Sequence, residues 1–352
     1  MIGWGFKLNE YRKCVANKII NGKQCTIIWH INDLKISMYD YIDKMLTELP
    51  PDMNGVSTTL AALHLFNVDD GTQKLDEDRA QLFHHLVAKL LYLSRRSRQD
   101  IQTAVAFLCT RVQSPDEDDY KKLARVMKYL RGTKDMALTI EANDGPKWWV
   151  DSSYAVHPDM RSHSGIYMTL EKCTAYSTSS KQKLNTKSST EAELVAVDDS
   201  MAQVLWTRHF LAAQGEHVPT TTIYQDNKST MLLAENGKTS SSKRTKHLNV
   251  RYFFVTDKIK KGEVKVAYCP TQEMLGDFFT KPLQGTQFVQ MRSKILNLPS
   301  SSSTAVHRSV LENAKKNEGN RRDGAKITRL STRLESAGNK TVIGGRDGNS
   351  KL

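Results

Sequence analysis

Ser188-Ser189-Thr190-Glu191-Ala192-Glu193-Leu194-Val195-Ala196 opens a long helical pattern, and its surroundings decide the fold. Hydroxyl side chains at 188–190 are the type that caps a helix N-terminus, and the pattern runs on to Leu211. Three strand patterns precede it: Lys147-Trp148-Trp149-Val150-Asp151, then 165–170, then 174–178. Thr222-Ile223-Tyr224-Gln225-Asp226 follows as a fourth strand. A helical stretch then covers 246–260, Gly262 breaks it, and 264–269 reads as a fifth strand before a short helix at 274–279. The order β-β-β-α-β-(α)-α-β-α over 145–298 predicts a compact α/β layout around one mixed sheet.

The rest of the chain reads differently on each side. Upstream, Thr26-Ile27-Ile28-Trp29-His30-Ile31 predicts a strand, and 76–96 and 100–112 predict helices with apolar faces. Ser114-Pro115-Asp116-Glu117 predicts a further helix start, with Ser114 as N-cap, Pro115 at the first position and Glu117 closing a capping box. That helix is expected to end at Leu130, before Arg131 and Gly132. Downstream, 300–352 carries eleven Lys or Arg against five Asp or Glu and no aromatic residue. So polar a segment is expected to form a disordered basic tail, with at most a short helix at 310–316.

Composition narrows the function. The 352 residues are 39% hydrophobic and 25% charged, ordinary for soluble domains. No stretch has the length and apolarity of a membrane span, and the first residues do not read as a secretory signal. Five separated cysteines without a CxxC pair argue against a disulfide framework or zinc knuckle, and an intracellular setting, cytoplasm or nucleus, is expected. A formal charge of +13 favours a polyanionic partner, nucleic acid before membrane.

Four acidic residues recur at comparable places. Asp151 is expected at the end of the first strand, Glu193 in the first turns of the long helix, Asp226 at the end of the fourth strand and Asp277 on the last helix. Taken singly, each has an ordinary structural reading: a strand-end turn, a capping partner of Thr190, an Asx turn with Asn227, a helix-start charge. Taken together, oxygen donors brought over the ends of neighbouring strands suit hard divalent cations, and two such ions can hydrolyse a phosphodiester.

The motifs themselves are recognisable. They are Trp149-Val150-Asp151-Ser152-Ser153-Tyr154-Ala155, Arg161-Ser162-His163-Ser164-Gly165, the opening stretch at 188–196, and Tyr224-Gln225-Asp226-Asn227-Lys228-Ser229. Arg244-Thr245-Lys246-His247-Leu248-Asn249-Val250-Arg251-Tyr252, Tyr268-Cys269-Pro270-Thr271 and Asp277-Phe278-Phe279-Thr280-Lys281-Pro282-Leu283 follow. In this order they resemble the ribonuclease H domain of copia-type LTR retrotransposon Pol polyproteins. The resemblance implies an RNase H-like fold with a five-stranded sheet flanked by helices, and an endonuclease that cuts the RNA strand of an RNA–DNA hybrid. It implies Asp151, Glu193, Asp226 and Asp277 as catalytic and metal-binding residues, for Mg2+ or Mn2+. Glu193 is preferred to Glu191 because Glu193-Leu194-Val195-Ala196 matches the family pattern, while Ser188 and Glu191 make an independent capping box. The loop Cys269-Pro270-Thr271-Gln272 holds no histidine, His247 lies before the fifth strand, and no proton shuttle is assigned.

Two basic runs are candidate phosphate contacts: Lys181, Lys183 and Lys187 before the long helix, and Lys243, Arg244 and Lys246. Residues 1–140 resemble the end of the copia-type reverse transcriptase and its connection, as a truncated, mainly helical remnant. The polymerase hairpin should read Tyr-Val-Asp-Asp. Here it reads His30-Ile31-Asn32-Asp33, so an amide stands where a metal-binding carboxylate is needed. The upstream palm aspartate is not in the sequence either, and no polymerase activity is expected. Two readings stay open: an active hybrid-specific nuclease, or a non-catalytic nucleic-acid-binding relic of a retroelement. No protein partner is assigned.

Overall fold

A computed structural model describes residues 7–8, 15–20, 23–28, 34–172, 174–237 and 249–298. The His30–Asp33 hairpin, the Lys243–His247 run and the tail at 300–352 lie outside the described residues.

The described chain begins with a small antiparallel sheet of β1 (Lys7–Leu8), β2 (Val15–Ile20) and β3 (Lys23–Ile28). The strand expected at 26–31 therefore starts three residues earlier, in register with β2. A ribbon of β4 (Leu34–Ile36) and β5 (Leu138–Ile140) brackets four helices, α1 (Tyr39–Thr47), α2 (Glu77–Arg96), α3 (Gln102–Cys109) and α4 (Glu117–Gly132). Phe83, Leu86, Val87, Leu90 and Leu93 form the buried face of α2, as their spacing predicts, and Asp76 caps it by accepting the Arg79 N–H.

The start of α4 is corrected. Its N-cap is Asp116, not Ser114, and the box partner is Asp119, not Glu117. Asp116 accepts the Asp119 N–H at 2.9 Å and Asp119 accepts the Asp116 N–H at 3.2 Å. Two buried carboxylates serve here because Arg111 reaches both, at 3.0 and 2.9 Å. The helix also runs two residues past Leu130, to Gly132.

The main sheet has five strands: β6 (Ala142–Ser153), β7 (His163–Glu171), β8 (Thr174–Lys181), β9 (Thr221–Gln225) and β10 (Val264–Tyr268). Their spatial order is β10-β9-β6-β7-β8. β6, β7 and β8 form an antiparallel meander, while β9 runs parallel to both β6 and β10. It is the mixed α/β sheet expected, with α5 (Ser189–Ala213), α6 (Lys228–Asn236), α7 (Asn249–Lys260) and α8 (Gly285–Leu296) as its later helices. Asp151 does not end its strand: β6 continues to Ser153, because Ser152 and Ser153 still pair with Ser164 and His163.

Successive residues of a strand face opposite sides, and here both sides are covered. Trp148 and Val150 pack with Leu194, Val197, Met201 and Val204 of α5 and Val255 of α7. Trp149 and Tyr167 face the other way, into a core with α2, α3, α4, Phe278, Phe279 and α8. The N-terminal helices thus share one hydrophobic core with the second face of the sheet. A short 3-10 helix, Leu275–Phe279, lies on that face.

Candidate metal centre

Strand pairing and one helix start bring the site together. β6 and β9 are adjacent and parallel, with Trp149 opposite Tyr224, so Asp151 and Asp226 come side by side just past the last β6–β9 pair. Ser188 caps α5 by accepting the Glu191 N–H at 3.2 Å, which aims the first turns of the helix at them. The expected reciprocal bond differs: the Glu191 carboxylate accepts the N–H of Lys187, at 2.7 Å, instead of that of Ser188. Glu191 is thereby engaged in the cap and Glu193 points to the site. Gln182 ties the helix start to the sheet, donating to Ser164 at 2.9 Å and to the Ala192 carbonyl at 2.9 Å.

Asp151, Glu193 and Asp226 each offer a carboxylate oxygen within 4.8 Å of the others. Asp151 and Glu193 are buried and Asp226 is half-buried. Burial raises the Glu193 carboxyl well above its ordinary range, and the charges of Asp151 and Asp226 push it the same way. The fourth expected residue, Asp277, lies outside that group of three and adjoins Asp151 across Lys281. Burial and the Asp151 charge push its carboxyl up to about 7, against the pull of Lys281. Such a set of hard oxygen donors, crowded and out of water, fits a divalent cation.

Several neighbours were not foreseen. Gln225 is fully buried and donates to Glu193 at 3.2 Å while its own carbonyl oxygen accepts the amides of Asp226 and Asn227 at 2.8 and 3.0 Å. It therefore orients two of the carboxylates at once. Thr280 donates to Asp151, and Thr271 to Asp226 at 3.1 Å. Lys281 lies 2.6 Å from Asp277 and 3.8 Å from Asp151. Burial would lower the Lys281 amine, but the two carboxylates outweigh it and hold the amine above its ordinary value. The signal for Lys281 was present: it follows Asp277 by four residues, the spacing of one helical turn.

Two glycines let the pieces close. Gly165 pairs with Asp151, and a Cβ there would sit 2.7 Å from the Gly276 carbonyl and from Thr280. A Cβ on Gly276 would sit 2.7 Å from that of Asp151. Both are close approaches that only glycine permits.

The candidate phosphate contacts separate. Lys183 and Lys187 are exposed, whereas Lys181 is half-buried and ion-paired with Asp159 at 2.7 Å. Lys243, Arg244 and Lys246, with His247, are outside the described residues.

Fold and site define an RNase H-like α/β domain with a carboxylate-lined centre, joined to a helical N-terminal half. Its relatives are retrovirus-related Pol polyproteins of transposons, as the motifs implied. The chain is 26% identical over 288 residues to that of tobacco transposon TNT 1-94, covering 80% of this chain and 21% of the relative. It is 29% identical over 262 residues to that of Arabidopsis transposon RE2, covering 71% of this chain and 17% of the relative. A yeast Ty1 Gag-Pol polyprotein is 22% identical over 273 residues, covering 74% and 16%. The chain therefore spans about a fifth of the length of these curated relatives. No family model matches it. Among solved structures, the chain overlays on LC11-RNase H1, isolated from compost, at 13% identity and a TM-score of 0.30, covering 37% of this chain and 87% of that one. Prototype foamy virus protease–reverse transcriptase gives 12% identity and a TM-score of 0.26, covering 35% and 17%. The fold assignment rests on the order and direction of the strands themselves.

Proposed function

We propose that residues 145–298 form a ribonuclease H-type endonuclease that cuts the RNA strand of an RNA–DNA hybrid. The observation that carries this reading is the convergence of Asp151, Glu193 and Asp226 to within 4.8 Å, with Asp277 beside Asp151. A divergent set would have favoured the non-catalytic relic.

When bound, a pair of Mg2+ or Mn2+ ions supplies an activated water and charge stabilisation at the leaving oxygen. Asp151, Glu193 and Asp226 would hold the ions, with Asp277 adjoining, and proton loss would accompany binding, since burial and mutual repulsion hold Glu193 and Asp277 protonated at higher pH than usual. Gln225 and Thr280 fix carboxylate orientation by donating to Glu193 and Asp151. Lys281 offsets part of the negative charge at the Asp151 and Asp277 edge. The exposed Lys183 and Lys187 fit backbone phosphates of the hybrid, a contact that confers no sequence choice.

The same proposal treats 1–140 as a polymerase remnant without template-directed synthesis, on the strength of Asn32, and 299–352 as a basic tail. Among the described residues no helix is long and apolar enough to cross a membrane. Asp226→Asn tests the nuclease reading: it is expected to fold normally and to cut a labelled hybrid at background rate with either metal. Cleavage by the variant at the wild-type rate would overturn it.

A further inference from the structure

The turn that carries Asp277 is clamped in an unusual way. Three successive carbonyls, those of Phe278, Phe279 and Thr280, each accept a side-chain hydroxyl proton. The donors come from three elements: Thr103 of α3 at 2.7 Å, Ser179 of β8 at 2.7 Å and Ser153 of β6 at 3.1 Å.

The middle clamp leads further. Ser179 lies 2.7 Å from His163 Nε2, and His163 Nδ1 lies 3.0 Å from His157 Nε2. Both rings are buried against Phe66, and His157 also stacks on Phe107. Proton counting fixes the chain. The single hydroxyl proton of Ser179 goes to the Phe279 carbonyl, so His163 must donate to Ser179 through Nε2–H. His163 Nδ1 is then bare and accepts Nε2–H of His157. That leaves His157 Nδ1 as a bare acceptor, and it has no partner. The opposite tautomer of His163 would ask one serine proton to serve both a carbonyl and a ring nitrogen. Burial keeps both rings neutral: His163 falls to about 3, helped by His157, and His157 to about 4, helped by Lys181 and opposed by Asp159.

We propose that His163, aligned by His157, is a positioning residue for Asp277, acting through Ser179 on the Phe279 carbonyl. This rests on the nuclease reading only for the use to which Asp277 is put. The relay would hold the turn so that its carboxylate stays against Asp151. Thr103 extends the same hold to the N-terminal helices, which would make the helical half part of the device that shapes the centre.

The full chain tests it with three readouts. In wild type, long-range 1H–15N correlation spectra of 15N-histidine protein are expected to show His163 and His157 neutral with protons on Nε2. Protons on Nδ1, or an imidazolium at pH 7, would overturn the relay. Ser179→Ala is expected to speed amide exchange at Thr280 and Lys281, whose N–H groups bond to the Asp277 carbonyl, while Ser179→Thr restores slow exchange. Unchanged exchange in Ser179→Ala would overturn the positioning role, and this readout needs no metal. Ser179→Ala is also expected to weaken Mn2+ binding, followed by electron paramagnetic resonance, by about tenfold. It should add nothing when Asp277 is already Asn, because the two changes share one route. Additive losses would mean a general structural effect and count against the proposal. If wild type neither holds Mn2+ nor cuts a hybrid, the nuclease reading fails, and the tautomer and exchange results still decide the relay.

Discussion

Two buried acidic places in this molecule are built in opposite ways. In the helical half, Asp100 is fully buried beside Arg98, which is equally buried. Arg98 donates to both Asp100 oxygens at 2.9 and 2.8 Å, Tyr129 adds a bond at 2.6 Å, and two further guanidinium protons reach Thr133. Burial alone would raise the Asp100 carboxyl, yet Arg98 outweighs it and leaves the value below the ordinary one. Around Asp151, three carboxylates lie within 4.8 Å of one another and Asp277 adjoins them across Lys281, the only neighbouring cation among the described ion pairs; Glu193 and Asp277 are raised. A completed ion pair serves the fold. An incompletely balanced cluster costs stability unless something cationic is brought to it, and that asymmetry is the physical sign of a binding site.

Mutation should expose the contrast, beginning with the largest effect. Asp226→Asn should take hybrid cleavage to background while the metal-free melting temperature stays level or rises, because one repelling charge is gone. A variant that melts well below wild type would place the cluster with the structural pairs. Arg98→Leu should do the reverse, leaving Asp100 unpaired and lowering stability by about 3 kcal/mol in urea unfolding. No loss there would mean that the pair is not buried as described.

Gly276→Ala sharpens the comparison at the boundary between fold and site. The added methyl meets Asp151 Cβ at 2.7 Å, so the turn must move. A loss of about 2 kcal/mol is expected, with weaker cleavage, and a wild-type melting curve would rule out so close an approach.

Acidity gives a smaller, signed effect. The Asp277 carboxyl is raised from 3.8 to about 7, so the folded state keeps a proton that the unfolded chain releases. Its contribution is fully present below about pH 4 and is lost as pH climbs towards 7. The histidine pair has the opposite sign, since its folded values are lowered from 6.5 and stability is lost as pH falls below that. Comparing Asp277→Asn with wild type cancels the histidines. Metal-free wild type should lose more melting temperature between pH 4 and 7 than the variant, and parallel curves would remove the raised carboxyl from the account. The smallest change is expected at Ser114→Ala, within about 0.5 kcal/mol, since the cap of α4 belongs to Asp116.

Much of this was legible in the sequence. The five strands and the Ser188 cap follow from periodicity and capping residues, and the grouping of Asp151, Glu193 and Asp226 from the ordered motifs. The cover on the second face of the sheet did not, although the adjacent Trp148 and Trp149 signal a strand buried on both sides. Apolar spacing tells that a helix buries a face, not what it buries that face against. Gln225 and Thr280 were missed for a related reason: their roles depend on which carboxylate lies across a strand or turn, and local sequence carries no record of that. The α4 cap was misplaced because Arg111, which makes an aspartate pair affordable there, acts from the preceding helix end.

The most direct measurement uses purified full chain and a hybrid labelled on each strand in turn, with and without Mg2+ or Mn2+. The account predicts internal cuts in the RNA strand alone, only when metal is present. An intact RNA strand with both metals, from protein shown to be folded, would contradict it.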